Sequence, residues 1–463
     1  MKCSNVKTII LVGEKEVKIP VKKNKIHVVD IIDQGYLGEG IAKINGYTIF
    51  IPNAIKGEKC KILILKTTTS HAFGKLLEVI NPSDERLETD CATYKRCGGC
   101  NLRHMKYDAT LELKSNIVQN LINKNLKSKI TINSTIGMNN PYHYRNKAQY
   151  PIGYDSEGNI ITGVFANRTH EIIPMVECKI QHPISEKIAK LIVKFLKENN
   201  ISAYEEKTGN GIFRHVVIKI GRVSKEVMCV LVINEERFDK EQELVEYLIN
   251  NFKKENSEYI IKTVVKNINT KNTNVILGNK NIVLYGDGYI YDKLGEYNFK
   301  ISPMSFYQTN PIQTEVLYKK AIESANLQKD DTVLDLYCGI GTIGIFTSKF
   351  VKNVYGIEIV EQAIQDAEEN AKLNKINNIK FICGDVEYAL TKLLNEEKVI
   401  PTVIFVDPPR RGLDKTTIQN ILELETKKLI YISCNPATMV RDLKLLEEKY
   451  SVKEIQPVDM FPF

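Results

Sequence analysis

Three hydrophobic rhythms succeed one another along the chain. Between residues 22 and 80, apolar and polar positions alternate in short runs, the period of half-buried strands. Ile26-His27-Val28-Val29 is followed by Gly35, Gly38 and Gly40. Ile41-Ala42-Lys43-Ile44 and Thr48-Ile49-Phe50-Ile51 then flank Asn45-Gly46, a pair suited to a two-residue hairpin turn. Lys59 to Leu65 alternates again, and Phe73 to Ile80 adds another run. A small five-stranded β-barrel is expected over 22–80. Such barrels serve either as plain scaffolds or as nucleic-acid-binding modules.

From 81 to 300 the pattern is mixed. Ile117, Val118, Leu121 and Ile122 recur at helical spacing, Ile184 to Leu196 reads as an amphipathic helix, and Phe213–Ile220 with Glu226–Ile233 reads as a strand pair. Beyond 301 the order becomes strand, helix, strand. Thr332 to Leu336, Asn353 to Ile357, Ile379 to Ile382, Val403 to Val406 and Leu429 to Ile432 are short and apolar, as parallel strands covered on both faces are. The expected fold class is α/β, with a doubly wound domain over 301–463, a mixed α+β region over 81–300 and the N-terminal barrel. A ligand of the doubly wound domain belongs at the carboxyl ends of its strands.

At 463 residues the chain is too long for one domain, and its 43% hydrophobic content argues against disorder. No apolar run reaches the roughly 20 residues that span a bilayer. Ile9-Ile10-Leu11-Val12 is too short for a leader and is followed by Glu14 and Glu16. A cytoplasmic protein without a membrane partner is expected, and by default a monomer. The net charge of +8 is uneven: residues 1–130 hold 22 Lys and Arg against 13 Asp and Glu, the remainder 42 against 43. That asymmetry fits a polyanion held by the N-terminal third, or equally a lysine-rich solvated surface.

Candidate chemistry gathers at the strand ends. The first C-terminal strand runs into Asp335-Leu336-Tyr337-Cys338-Gly339-Ile340-Gly341-Thr342, a loop whose glycines let a ligand approach the backbone. The second ends in Glu358, placed to accept from ribose hydroxyls; this suits a dinucleotide as well as S-adenosylmethionine. The fourth ends in Asp407-Pro408-Pro409-Arg410-Arg411-Gly412, where the prolines stiffen a turn that presents the acid. Such a turn characterises methyltransferases acting on planar nitrogen or carbon in nucleic acids. The fifth runs into Ser433-Cys434-Asn435-Pro436-Ala437-Thr438, so Cys434 is either a thiol buried at a strand end or an exposed nucleophile. Separately, Cys91, Cys97 and Cys100 are spaced C-x5-C-x2-C, with Cys178 further on; four thiolates suit tetrahedral zinc or a [4Fe–4S] cluster alike. Tyr142 to Lys147 interleaves aromatic and basic residues, the pattern of an RNA-contacting segment or of an amphipathic strand.

With Phe306-Tyr307-Gln308-Thr309-Asn310, these C-terminal motifs resemble, in order, those of the RNA 5-methyluridine methyltransferases. The resemblance implies a class I methyltransferase domain in which Gln308, Tyr337, Glu358 and Asp407 contact S-adenosylmethionine and Cys434 attacks C6 of a uracil. Asp407 is then also near the base. The chemistry accounts for the cysteine: C5 of uracil is too poor a nucleophile to take a methyl from a sulfonium, and thiolate addition at C6 turns the ring into an enolate that can. The target lies within folded RNA, so base flipping is implied. The ribosomal-RNA branch of the family carries a [4Fe–4S] cluster on the cysteine pattern and an N-terminal TRAM barrel, which residues 22–80 resemble. By that likeness Cys91, Cys97, Cys100 and Cys178 hold a [4Fe–4S] cluster, and the partner is 23S ribosomal RNA. A transfer-RNA enzyme and an RNA-binding protein with an inactive methyltransferase fold are the competing expectations. In the family the chain continues through a His-x-Glu segment whose glutamate removes the C5 proton; here it stops at Asp459-Met460-Phe461-Pro462-Phe463. The expectation is a truncated product lacking the fold's last, antiparallel strand and its ladder hydrogen bonds.

Overall fold

The computed structural model describes residues 19–127, 130–167, 169–255, 258–396 and 398–463; the stretch Ile9–Val12 lies outside them. Two compact units form, one from residues up to Glu88 with Asn101–Ala109, the other from Thr89–Cys100 with Thr110–Phe463.

In the first unit, β1 (Ile26–Asp30), β2 (Asp33–Gln34), β3 (Gly40–Ile44), β4 (Tyr47–Ile51), β5 (Lys59–Thr67) and β6 (His71–Asn81) form one sheet in the order β1-β5-β6-β4-β3-β2. All five expected runs are strands. The sixth, β2, pairs only Asp33 with Ile41 and Gln34 with Gly40, too few residues to show any alternation. Alternate residues Ala42, Ile49, Ile51, Ile62, Ile64 and Ala72 turn inward and are fully buried. Asn45 and Gly46 take the positive φ values of the expected hairpin turn, 50° and 80°. Glu58 is buried among the Ile55 N–H (2.8 Å), the Ser83 N–H (3.3 Å) and the guanidinium of Arg86. Burial works against its charge, but these hydrogen bonds outweigh it and hold the carboxyl below its usual range.

The second unit begins with α1 (Tyr107–Asn125), whose first residues belong to the unit before. Its large sheet has the order β13-β12-β11-β10-β7-β8-β9. The strands are β7 (Lys147–Tyr154), β8 (Ile160–Phe165), β9 (Ile172–Pro174), β10 (Phe213–Ile220), β11 (Glu226–Ile233), β12 (Ile260–Ile268) and β13 (Lys280–Tyr285). α2 (Pro183–Glu198) and α3 (Glu241–Glu255) cover one face. β11 is apolar almost throughout because both its faces are buried. Val227, Cys229, Leu231 and Ile233 meet the helices, while Met228, Val230 and Val232 join a core that includes Phe299, Val333 and Phe405. The central sheet and the C-terminal domain thus share one core. Residues 142–146, offered above as a possible strand, are irregular, and β7 begins only at Lys147.

The hairpin β14 (Ile290–Leu294) and β15 (Tyr297–Ile301) leads to α4 (Pro311–Ala325). Then follow β16 (Thr332–Leu336), α5 (Thr342–Ser348), β17 (Asn353–Glu358), α6 (Glu361–Leu373), β18 (Ile379–Cys383), α7 (Val386–Thr391), β19 (Val403–Val406), α8 (Lys415–Leu424), β20 (Lys428–Tyr431) and α9 (Pro436–Leu446). All pairings in this sheet are parallel, in the order β18-β17-β16-β19-β20. The order reverses between β16 and β19, which opens a crevice at their carboxyl ends.

Candidate active site

Five of the residues singled out in the sequence come to that edge of the sheet. Beyond β16 the chain turns through Tyr337, Gly339 and Gly341 at φ 64°, 55° and 80°. Gly339 faces open space, with nothing within 4 Å of where a Cβ would stand, so a ligand can lie against its backbone. Gly341 is packed instead: its Cβ would meet the Phe381 ring at 2.7 Å. Glu358, at the end of β17, is oriented by two backbone donors, Gly339 N–H at 3.2 Å and Val360 N–H at 3.0 Å. Beside it Ile359 leaves an apolar side chain 68% exposed.

Asp335 is fully buried at the end of β16. One carboxylate oxygen accepts from Gly344 N–H at 2.9 Å, and the other has no partner among the described residues. Burial, together with the nearby charges of Asp407 and Glu358, pushes its pKa up to about 8. Asp407, sheltered at the end of β19, is pushed up to about 6 by burial. Asp335, Asp407 and Glu358 thus lie near enough to feel one another's charge, Asp335 keeps one oxygen without a partner among the described residues, and Gly339 beside Glu358 is open: a donor set that suits a cationic group. That is the charge of a sulfonium methyl donor, so these residues fit S-adenosylmethionine.

Gln308 lies on the loop entering α4. Its carbonyl accepts from the Asn146 side chain at 3.0 Å, and Asn310 caps α4 by accepting from Gln313 N–H at 3.2 Å. The loop rests on Lys219, which is buried and donates to the carbonyls of Ser302 (2.7 Å) and Ser305 (2.9 Å). Burial and neighbouring Lys147 bring the pKa of that ammonium down to about 7. Phe306, on the same loop, is 69% exposed. Tyr318 of α4 joins the parts: its hydroxyl hydrogen-bonds Thr342 at 3.0 Å and Gln308, and burial and the charge of Asp407 push its pKa up.

Cys434 is exposed and stands one residue before Asn435, the N-cap of α9, at that helix's electropositive end. A fastening network holds this segment to the Asp407 loop. The Asn435 amide donates to the Arg410 carbonyl at 3.1 Å, and Thr438 Oγ1 donates to the same carbonyl at 3.2 Å. Buried Asp442 accepts from Leu413 N–H and from the Tyr431 hydroxyl, both at 2.7 Å. Gly412, at φ 77°, presses against Asp442; a Cβ there would stand 2.4 Å from its Oδ2. Sequence reasoning found the strand-end residues but not Asp335, Lys219, Tyr318 or Asp442. Only Asp335 had a signal, as the acid directly before the glycine loop.

Cys91, Cys97, Cys100 and Cys178 are all half-buried free thiols of the second unit. Burial and the charges of Cys178 and Cys91 push the Cys97 thiol up, while Arg145 draws it down. Burial likewise pushes up Cys178, against backbone N–H groups of Gln181 and Ile180 that donate to its sulfur. Cys100 and Cys178 both pack on the Met138–Tyr144–Ile180 cluster. The Arg145 Nε and Gln181 Oε1 are buried without a hydrogen-bond partner among the described residues. Among the described residues, no three His, Cys, Asp or Glu side chains converge tightly enough to grip one metal ion, as zinc with its ~2.3 Å thiolate bonds would require.

Among the described residues no helix is long and apolar enough to cross a membrane. Residues 106–463 match the family model described as tRNA (Uracil-5-)-methyltransferase, and residues 20–77 match the TRAM domain. An uncharacterized RNA methyltransferase of Halalkalibacterium halodurans is 43% identical over 446 residues, covering 96% of each chain. One of Clostridium acetobutylicum is 44% identical over 448 residues with the same coverage. The crystal structure of the Pyrococcus abyssi tRNA (uracil-54, C5)-methyltransferase in complex with S-adenosyl-L-homocysteine has the same fold (TM-score 0.73, 24% identity, 94% of this chain and 97% of that one). With a family model that spans most of its length and relatives more than 40% identical across it, the chain belongs to the tRNA (uracil-5-)-methyltransferase family: S-adenosylmethionine-dependent methyltransferases of uracil C5 in RNA, here with a TRAM domain.

Proposed function

We propose that the protein methylates C5 of a uridine in 23S ribosomal RNA through a covalent bond between Cys434 and C6. The observation that carries the reading is the fastening of the Cys434 segment to the Asp407 loop through Asn435, Thr438 and the Arg410 carbonyl. That arrangement keeps an exposed thiol and a sheltered acid at neighbouring strand ends, beside the methyl-donor cradle. Gln308, Tyr337, Glu358 and Asp407 hold S-adenosylmethionine, which supplies the methyl group as an electrophile. The Cys434 thiolate adds to C6 and makes C5 nucleophilic; C5 takes the methyl. Loss of the C5 proton to a base then lets the C6–sulfur bond break and returns the thiolate. Asp407 holds the uracil by a hydrogen bond.

Cys91, Cys97, Cys100 and Cys178 hold a [4Fe–4S] cluster in this reading. What supports it is that Cys97 lies near enough to Cys91 and Cys178 for their charges to raise its thiol, with the Arg145 cation beside them to balance an anionic centre. With four thiolates as ligands the cluster has a structural or RNA-binding part.

A transfer-RNA substrate is the competing reading. The Pyrococcus enzyme, named for transfer RNA, covers 94% of this chain, more than is possible without the barrel, so a barrel does not separate the two RNA classes. Methyl transfer from labelled S-adenosylmethionine to unmodified 23S and transfer-RNA transcripts, with nucleoside analysis and a Cys434→Ala control, decides. 5-Methyluridine in 23S RNA alone supports the proposal, and product in transfer RNA alone overturns the ribosomal assignment.

A further inference from the structure

Two lysines stand side by side on the central sheet, against the loop that carries Gln308. Lys147, the first residue of β7, is the register partner of Lys219 on β10. Their neighbours Ala148, Ile218 and Ile220 pack with the helix-side core, so the two lysine side chains lie on the other face of the sheet. There they line a cavity of about 10 Å³ together with Asn146, Ser305 and Tyr307. That volume takes one water-sized group, such as a single oxygen of an oxyanion.

The side chains around this cavity have donors to spare. The Tyr307 hydroxyl is buried without a hydrogen-bond partner among the described residues, and burial pushes its pKa up, so it stays a donor. Lys219 spends two of its three N–H donors on the carbonyls of Ser302 and Ser305. Lys147 has no ion-pair partner among the described residues, and burial alone acts on its pKa, drawing it down. Two acids lie near. Asp366, by Lys219, takes the hydroxyls of Ser302 (3.1 Å) and Ser305 (2.7 Å). Asp292, by Tyr307, accepts from the Val223 N–H at 3.0 Å. Neither lines the cavity. A half-buried ammonium without a counter-charge costs the free protein stability, so an anion from outside would complete the site. The place suits a substrate: Phe306, between Ser305 and Tyr307, is exposed, and Asn146, beside Lys147, holds the Gln308 carbonyl.

We infer that the Lys147 ammonium, with the Tyr307 hydroxyl and the third donor of Lys219, holds one oxygen of an RNA backbone phosphate next to the target uridine. A phosphate contact fixes where a strand lies without reading its sequence. Made beside the Gln308 loop, it anchors the backbone while the base is turned out toward Cys434. The inference rests on the reading that the protein acts on RNA, and it assigns a substrate contact that the methyl-transfer chemistry itself does not require.

The test uses the full chain with end-labelled transcripts of 23S ribosomal RNA fragments and of transfer RNA. Sparse ethylation of the phosphates with ethylnitrosourea removes their charges singly, and the bound and free fractions are then mapped. The wild type is expected to reject molecules ethylated at a phosphate adjoining the target uridine. In Lys147→Met that one signal disappears while the others remain, affinity falls about tenfold, and the salt slope drops by about 1. Lys147→Arg restores the slope. Methyl transfer by Lys147→Met shows a raised KM for RNA and an unchanged KM for S-adenosylmethionine. Because methionine removes an uncompensated charge, the melting temperature of the free variant rises, which separates lost binding from misfolding. An interference map and salt slope that Lys147→Met leaves unchanged refute the phosphate contact while the RNA reading stands. Weaker binding of S-adenosylmethionine with an unchanged RNA map gives the cavity to the donor's carboxylate and overturns the assignment. A wild type that binds neither transcript sinks both readings.

Discussion

Gly412→Ala is the substitution that most sharply couples fold to activity. Gly412 closes the Asp-Pro-Pro loop at φ 77°, where an L side chain costs about 1–2 kcal/mol. The new methyl would also stand 2.4 Å from Oδ2 of Asp442 and 2.7 Å from Nη2 of Arg441. The arginine end can swing away, but Asp442 cannot: it is fully buried and held by Leu413 N–H and the Tyr431 hydroxyl at 2.7 Å each. Relief takes a shift of about 1 Å and the weakening of at least one buried hydrogen bond, a further ~1–3 kcal/mol. The sum, about 2–5 kcal/mol, lowers the melting temperature of the second unit by roughly 3–6 °C. The shift falls on the loop that links Asp407 to Cys434, and a displacement of about 1 Å between reacting groups costs roughly 100-fold in rate. Thermal melting and single-turnover methyl transfer below the melting point measure the two effects separately. Gly46→Ala is the control: its φ is 80°, but nothing lies within 4 Å of its Cβ, so it pays only the backbone cost and keeps full activity. A Gly412→Ala enzyme as stable and as fast as Gly46→Ala would refute the argument that this contact sets the loop.

Four other outcomes are expected. Because the free protein holds protons on Asp335 (about 8) and Asp407 (about 6) more tightly than an unfolded chain, its stability falls as pH rises from about 4 to about 8; Asp335→Asn flattens that slope in denaturant titrations. A cationic methyl donor favours the ionised acids, so its affinity rises with pH up to about 8 and then levels off, with proton release visible as buffer-dependent heat in calorimetry. Arg86→Ala leaves buried Glu58 without its cation and destabilises the barrel by about 3–5 kcal/mol, read as a lower denaturation midpoint, while Cys434 alkylation stays normal. Anaerobically purified protein contains iron and acid-labile sulfide in equal amounts, and Cys100→Ala loses most of both; a full complement of zinc in their place would overturn the cluster.

Much of this was legible in the sequence wherever a backbone period was also a functional address. The five parallel strands of the C-terminal sheet were readable because each is a short apolar run, and their carboxyl ends led directly to Tyr337, Glu358, Asp407 and Cys434. What stayed hidden depends on contacts far apart in the chain. Lys219 sits at a polar position of β10 and reads as solvent-facing, yet it is buried under the Ser302–Ser305 loop. Asp442 reads as a charged residue of a surface helix, but it is the anchor of the loop 30 residues before it. The buried state of Asp335 depends on which strands flank β16, and sequence order alone cannot state that β19 is its neighbour. The sharing of one core by the central sheet and the C-terminal domain was hidden for the same reason.

The central claim is that Cys434 bonds to C6 of the target uracil, and RNA transcribed with 5-fluorouridine tests it most directly. Fluorine cannot leave C5 as a proton does, so after methyl transfer the C6–sulfur bond has no route to break and the complex is trapped. Incubation with S-adenosylmethionine, denaturing electrophoresis and mass spectrometry of the digested adduct is the measurement. The account predicts a denaturation-resistant adduct that requires the methyl donor, maps to Cys434 and vanishes in Cys434→Ala. An adduct on another residue, or methylated RNA released freely by Cys434→Ala, would contradict it.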